Sequence, residues 1–343
     1  MKFQSLVSVI MPVYNAELYL KQSIESILKQ TYHNIELFIF DDNSTDTSIR
    51  IITSFSDERI RLIKKPQQTG YTDSLIEGIK IASGKYIARM DSDDVSHPTR
   101  LEKQVAFLEA NHDYGIVGAF VQTIQSDGKS HIWKYPVNDE EIRSYTIANA
   151  PFAHPSVMMK KQVLIDNGLT YNKSFEPCED YKLWVDLLKV TKGKNINEIL
   201  LEYRLHPHQT IATRKQTLIN KSNDIRQIVL QSQYQIVTTP NEILQHYYYF
   251  NELQSSDAAR IKQFFNWRKK LLSGFKQKSN ALREIRLVED YWCRLLGTIT
   301  EYRLSSLLYL MTSTVWRKMS FLFIIKFMIK SVIHYKVSPS VIK

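Results

Sequence analysis

The chain has 343 residues, 43% of them hydrophobic and 23% charged, and a formal net charge of +10. That is the balance of a globular protein long enough to bury a full core, with room for two domains or for one of about 200 residues and an appendage. Two cysteines far apart, Cys178 and Cys293, exclude a cysteine-based metal site and are expected as reduced thiols of a cytoplasmic protein; the opening "MKFQSLVSVIMPVYN" runs straight into structure and carries no expected secretion signal.

The first hundred residues alternate between two periods. "LVSVIMPVY" (Leu6 to Tyr14) reads as a buried strand, and "ELYLKQSIESILKQ" puts Leu18, Ile24, Ile27 and Leu28 on one helical face. "IELFIF" is the next strand; "STDTSIRIITSF" opens with Ser and Thr cap candidates and continues as a helix. "IRLIKK" is a short strand, "YTDSLIEGIKIAS" a helix stopped by Gly84, and "KYIARM" a strand that enters "DSDD". Pro98 then suits the first turn of the helix "TRLEKQVAFLEAN". "GIVGAFVQTIQ" is a strand and "SDGK" a turn; "FAHPSVMMKK" and "INEILLEYRLH" are strands around the helix "CEDYKLWVDLLKV". Beyond about residue 211 the segments turn helical, Tyr-rich and basic, which predicts domains at residues 1–210 and 211–343.

Alternating strands and helices at this spacing imply right-handed crossovers and a mainly parallel, Rossmann-like sheet. Ligands of such sheets bind outside the carboxyl ends of the strands. "PVYN", "DDNSTD" and "DSDD" each follow a strand, so they are expected to converge on one side. Asp91, Asp93 and Asp94 crowd three carboxylates into four residues. They repel one another unless a cation or hydrogen-bond donors hold them. A hard divalent ion, Mn2+ or Mg2+, bridging to a diphosphate suits that set, and a solvated acidic turn is the bland alternative.

The run from "VSVIMPVYN" through "FDDNSTDTS" and "GKYIARMDSDDVSHPTRLEKQ", continued by "HPSVMMKK", "CEDYKLWVDLLK" and "EYRLH", strongly resembles the family 2 glycosyltransferases over roughly residues 5–210. The resemblance implies a GT-A fold, an inverting transfer and a nucleotide-sugar donor, with UDP expected. It implies that Pro12, Tyr14 and Asn15 line the nucleotide pocket, with Tyr14 a wall for the base. Asp42 would accept from a uracil-type ring, with Asp41 and Asp46 weaker candidates. Asp93 would ligate the metal, and Asp91 would face the ribose or the metal. Asp180 matches the general base, with Glu179 positioning it. His154 would stand near the donor sugar and acceptor, and His206, or its neighbour His208, near the pyrophosphate or metal. Arg204 would offer charge to the diphosphate or form a surface ion pair. Trp184 reads as core or as an acceptor wall. Ile76 and Thr69 depart from the family's pattern on the donor side.

The helical C-terminal extension lies outside the resemblance. In "WRKMSFLFIIKFMIKSVIHYK", Lys318, Lys326, Lys330 and His334 share one stripe of a helix otherwise made of Phe, Leu, Ile and Met. Its longest charge-free run, Met319 to Ile325, is far too short to span a bilayer, and the segment reads as an interfacial helix on an anionic membrane surface, a packed C-terminal helix, or an oligomer contact. The expected partners are a nucleotide-sugar donor and a glycan or lipid-linked acceptor, with no nucleic acid. The expected location is cytoplasmic, or peripheral on the inner membrane's cytoplasmic face. Two rival readings are a nucleotidyltransferase, which would need a Gly- and basic-rich loop after the first strand, and a basic nucleic-acid-binding protein.

Overall fold

Val7–Val13 (β1) is buried along its whole length, and Ile35–Asp41 (β2) almost so. Strands buried on both faces need helices above and below them. The computed structural model describes residues 5–125, 128–206, 213–251, 258–277, 281–297 and 321–332. The further strands are Ile60–Lys64 (β3), Tyr86–Arg89 (β4), Val95–Ser96 (β5), Tyr114–Gln125 (β6), Ser130–Trp133 (β7), Met158–Lys160 (β8) and Lys192–Leu205 (β9). They form one mixed sheet in the order β3-β2-β1-β4-β8-β6-β9-β5, with β7 paired to β6. β1 runs parallel to both β2 and β4, so the strand order reverses at β1. The register Val13↔Asp41 brings the ends of β1 and β2 level. The loops after β1, β2 and β4 therefore open around the switch point, where such sheets bind ligands.

Helices Leu20–Leu28 (α1), Ser48–Thr53 (α2) and Arg100–Ala110 (α4) cover one face through Leu20, Ile24, Ile27, Ile52, Leu101 and Leu108. Tyr71–Ile81 (α3), Asp139–Tyr145 (α5), Lys161–Asp166 (α6) and Glu179–Val190 (α7) cover the other, through Leu75, Ile142, Leu164, Leu183, Trp184 and Leu187. Trp184 is fully enclosed, which decides for core over acceptor wall.

Three local readings change. Gly84 does not end α3, which stops at Ile81. It is a close-approach glycine, because a Cβ there would come within 2.7 Å of Leu6 O and Ser8 N. "FAHPSVMMKK" holds a 3-10 turn (His154–Ser156) before the short β8, and its last lysine opens α6. The Ser and Thr before α2 make no cap bond at Thr47; they tie two loops together, as described below.

By packing, the chain divides into two compact units, residues 1–143 with 150–222, and residues 144–149 with 223–343. The division falls within the helix Lys215–Tyr234 (α8), later in the chain than the compositional change at residue 211. The second unit adds Pro240–Asn251 (α9), Ala258–Lys276 (α10), Leu282–Gly297 (α11) and Phe321–Val332 (α12). Its core is aromatic, with Tyr249, Phe264, Trp267, Phe275 and Trp292 buried. One buried polar group there, His246, is held on both ring nitrogens. His246, which burial pushes down to about 3, stays neutral. Its Nε2 lies 2.5 Å from Ile147 O, and its Nδ1 accepts from the Trp267 indole at 3.2 Å. Cys178 in the first unit is a buried thiol that donates to Leu218 O at 3.4 Å; the side chain of Cys293 lies outside the described residues.

Candidate active site

The loops after β1 and β2 are laced together. Asn15 adopts a left-handed backbone (φ 47°) that asparagine tolerates. Its N–H donates to Ser44 Oγ at 3.0 Å, and its side-chain oxygen accepts from Thr45 N at 2.8 Å. Ala16 N donates to Ser48 Oγ, and Glu17 N to Asp46 Oδ2. Pro12 is buried opposite Phe40, while Tyr14 leaves the strand end 46% exposed. The lacing thus fixes the backbone on either side of an open phenol ring.

Asp42 is almost enclosed and accepts from Thr69 N at 2.9 Å and Gly70 N at 2.8 Å. Gly70 has φ 98°, a conformation that excludes most side chains, and it stands at the N-terminus of α3. The Lys65 ammonium lies 3.6 Å from Asp42 Oδ1 and donates to Thr69 Oγ1 at 2.7 Å. Asp42 therefore organises the loop that enters α3, as well as standing at the end of β2. Asp41 points inward, with Oδ1 buried and without a hydrogen-bond partner.

Asp91, Asp93 and Asp94 each place a carboxylate oxygen within 4.8 Å of the others. α1 holds their loop from beneath: Ser23 Oγ donates to Ser92 O and Asp94 O, and Gln30 donates to Ser96 Oγ and His97 O. Asp91 pairs with the buried Arg89 guanidinium. Burial raises its pKa, against the pull of Arg89. Asp93 Oδ2 meets His206 Nε2 at 2.9 Å. Asp94, 1% exposed, accepts from Arg204 N at 2.9 Å, while its Oδ2 has no hydrogen-bond partner among the described residues. Burial and the neighbouring Asp91 and Asp93 charges drive its pKa well up. Arg204 braces this loop: Nε donates to Asp93 O, Nη2 to Gln22 Oε1, and the guanidinium lies 4.4 Å above the Tyr19 ring. The structure thus brings Asp91, Asp93, Arg204 and His206 together. His208 lies outside the described residues.

The second acidic pair opens α7. Glu179 is 2% exposed and accepts from the Tyr71 hydroxyl at 3.0 Å. Burial and the adjacent Asp180 push it up to about 8. Asp180 is half-buried and accepts from Tyr181 N at 2.7 Å. Burial pushes it up to about 6, with Arg89 pulling the other way. Burial raises both members of the pair, Glu179 further with the Asp180 charge beside it, which leaves Asp180 the more acidic of the two. Nearby, the His154 ring sits against Tyr171 and Trp184.

A family model described as glycosyl transferase family 2 matches residues 8–168. The chain is 30% identical over 274 residues to UDP-Glc:alpha-D-GlcNAc-diphosphoundecaprenol beta-1,3-glucosyltransferase WfaP of Escherichia coli, covering 77% of this chain and 98% of that one. This chain belongs to glycosyl transferase family 2. Among solved structures, the Staphylococcus aureus TarS fragment 1–349 in complex with UDP-GlcNAc aligns with TM-score 0.56 at 16% identity, covering 89% of this chain and 86% of that one. The mannosyltransferase PcManGT of Pyrobaculum calidifontis, in complex with GDP-Man and Mn2+, aligns with TM-score 0.53 at 17% identity, covering 96% and 88%. The catalytic fold is the GT-A fold of the glycosyltransferases, and the protein is an enzyme of that type.

Several residues of this family 2 site escaped sequence reasoning. Arg89 ends a buried strand, Arg100 is fully enclosed, Tyr71 holds Glu179, and Tyr171 holds His154. Arg100 donates to Arg89 O and Pro155 O, and burial pulls it down to about 9. One signal was present: a charged residue inside the apolar run "YIARM" has to find a counter-charge. Tyr71, Arg100 and Tyr171 carried no local signal, because their partners lie far away in the chain.

Proposed function

We propose that this glycosyltransferase is a metal-dependent inverting enzyme that moves a sugar from a UDP-linked donor to a hydroxyl of a lipid-linked or growing surface glycan. The observation that carries the reading is the presence of two acidic sites, Asp91–Asp93 and Asp180, with the buried Arg89 guanidinium paired to Asp91 and acting on Asp180 as well. A single displacement needs negative groups for two different tasks. One set faces the leaving diphosphate through a cation, and one carboxylate faces the incoming hydroxyl. Asp180, with its pKa lifted toward the working range, suits a base that takes the hydroxyl's proton as the C–O bond forms.

The acidic loop fits a hard cation. Asp91, Asp93 and Asp94 each offer a carboxylate oxygen within 4.8 Å of the others, and Asp94 Oδ2 is buried without a hydrogen-bond partner among the described residues. Asp93 and His206 would hold the ion, Mn2+ or Mg2+, with Asp91 beside them. When bound it would neutralise charge on the departing diphosphate. Tyr14 and Asn15 would flank the base, Pro12 would support them, and Asp42 would accept from a ring N–H. Arg204 would position the acidic loop and lend its charge to the diphosphate side. His154 would face the sugar.

Family membership disfavours a nucleotidyltransferase or a nucleic-acid binder. The UDP-glucose donor and diphosphoundecaprenol-linked acceptor in the name of WfaP support both the UDP donor and a lipid-linked acceptor. The test is nucleotide release from a panel of UDP-sugars with Mn2+ or Mg2+. UDP release is expected with at least one donor, and release only from GDP-sugars would overturn the UDP assignment.

A lipid-linked acceptor would bring the enzyme to a membrane surface, and the cytoplasmic face is the one proposed here. No helix among the described residues is long and apolar enough to cross a membrane. On α12, Ile325, Met328 and Ile329 are exposed on one face, 56% in the case of Ile329, with Lys326 exposed beside them. Phe327 is buried on the opposite side. That pattern suits peripheral docking, apolar contact plus attraction of about 1 kcal/mol per basic residue near an anionic surface. Residues 298–320 and 333–343, which include Lys318 and His334, lie outside the described residues. The full-length protein is expected to co-sediment with anionic vesicles, less so as salt rises, and Ile329→Glu should reduce that binding without altering nucleotide release. Equal sedimentation with neutral vesicles, or none with either, would exclude this docking.

A further inference from the structure

The hydroxyl of Tyr171 lies 2.8 Å from Nε2 of His154, with the two rings 5.4 Å apart. Trp184 stands edge-on to both, at 5.8 Å from His154 and 6.4 Å from Tyr171. The pair stands within electrostatic reach of both acidic sites. The Tyr171 phenol is within electrostatic reach of Asp180 and Asp91, and the Arg89 charge acts on His154, Asp91 and Asp180 alike.

Burial, aided by Arg89, holds the His154 pKa well below its usual value, so the ring is neutral. A neutral imidazole carries one N–H and one bare nitrogen. The contact then has two solutions: the phenol donates to a bare Nε2, or Nε2–H donates to the phenol oxygen. Burial decides between them. Tyr171 is 3% exposed, and among the described residues its hydroxyl has no second partner. In the second solution the phenol proton would be left without an acceptor, at a cost of about 1–3 kcal/mol. In the first, both groups are satisfied and the histidine proton sits on Nδ1. That nitrogen has no hydrogen-bond partner among the described residues, and the ring is only half-buried.

We propose that Tyr171 is a positioning residue that locks His154 in the Nδ1–H tautomer, so that Nδ1–H donates to a hydroxyl oxygen of the sugar held between Asp91 and Asp180. The proposal rests on the reading that this site transfers a sugar. It makes the pair a specificity device: a donor aimed at one sugar oxygen discriminates against sugars that lack that oxygen, because the N–H is then left unpaired.

The tautomer can be read directly. In protein labelled with 15N-histidine, long-range proton–nitrogen correlations distinguish a bare nitrogen from a protonated one, and His154→Gln assigns the signals among the nine histidines. The wild type is expected to show Nε2 bare and Nδ1 protonated, and Tyr171→Phe to show a mixture of tautomers. Calorimetric titration of Tyr171→Phe should give UDP affinity equal to wild type and UDP-sugar affinity weaker by about 3- to 10-fold, the scale of one hydrogen bond. A wild-type spectrum with the proton on Nε2 overturns the proposal whether or not the variant folds. Unchanged tautomer and unchanged UDP-sugar affinity in a folded variant also overturn it. A wild-type protein that turns over no nucleotide sugar overturns the transfer reading instead, and its spectrum still decides the tautomer.

Discussion

Asp180→Asn is expected to lower turnover by about 10²- to 10⁴-fold, the usual contribution of a general base, while UDP affinity stays within about threefold of wild type. The asparagine keeps the side chain's shape and can still accept from Tyr181 N, so the helix start survives. What it loses is the capacity to take a proton. The pH dependence has a definite sign. Asp180 works ionised, and burial has raised its pKa to about 6. Activity of the wild type should therefore be full above that value and fall as pH drops through it, toward tenfold per pH unit. An ordinary aspartate would hold its activity down to about pH 4. The residual activity of Asp180→Asn should lack this acid limb. Glu179→Gln should be mild by contrast at neutral pH, because Glu179 is the less acidic member of the pair and a glutamine can still meet the Tyr71 hydroxyl. Steady-state kinetics across pH, with calorimetry for UDP, checks all three. If donor affinity collapses with the rate, Asp180 belongs to the donor site and the base lies elsewhere.

Asp93→Asn is expected to remove metal-dependent turnover, by at least about 10²-fold, the scale of losing one preorganised electrostatic contact. The substitution deletes one anionic ligand and weakens the contact with His206 Nε2. It leaves in place the bonds that shape the loop, which run through the Asp93 carbonyl, Asp94, Ser23 and Arg204. The thermal midpoint should accordingly change little. The measurement is turnover over a titration of Mn2+ and of Mg2+, beside UDP binding with and without metal. Wild-type turnover at saturating metal would remove Asp93 from the ligand set.

The strand-end motifs were legible because their signal is local. Apolar β-branched runs and amphipathic helices alternate through the first hundred residues, and a mainly parallel sheet follows from that alternation, while the strand order and its reversal at β1 came with the fold. The pattern puts Asn15, Asp42 and Asp91 at one end of the sheet without any need to know which side chains touch. The resemblance, carried by ordered motifs, added Asp180, His154, Arg204 and His206 to the same site.

What tertiary structure decided is what each of those groups is bonded to. Asp42 spends hydrogen-bonding capacity on Thr69 and Gly70, and Arg204 on the acidic loop, although neither pairing shows in spacing. The serines and threonines at the start of α2, which look like cap residues, lace two loops together: Ser44 and Ser48 accept from the Asn15 and Ala16 N–H groups, and Thr47 donates to the Glu17 carboxylate. Gly84 looks like a helix stop and is instead a point of backbone contact with β1. By itself the sequence determined the sheet, the ends of its strands and the acidic residues placed there. The environments that raise Asp180 and Glu179, hold His154 neutral against Tyr171 and enclose Arg89 came only with the fold. Burial and charge proximity depend on residues that lie far apart in the chain, and periodicity carries no information about which distant side chains will meet.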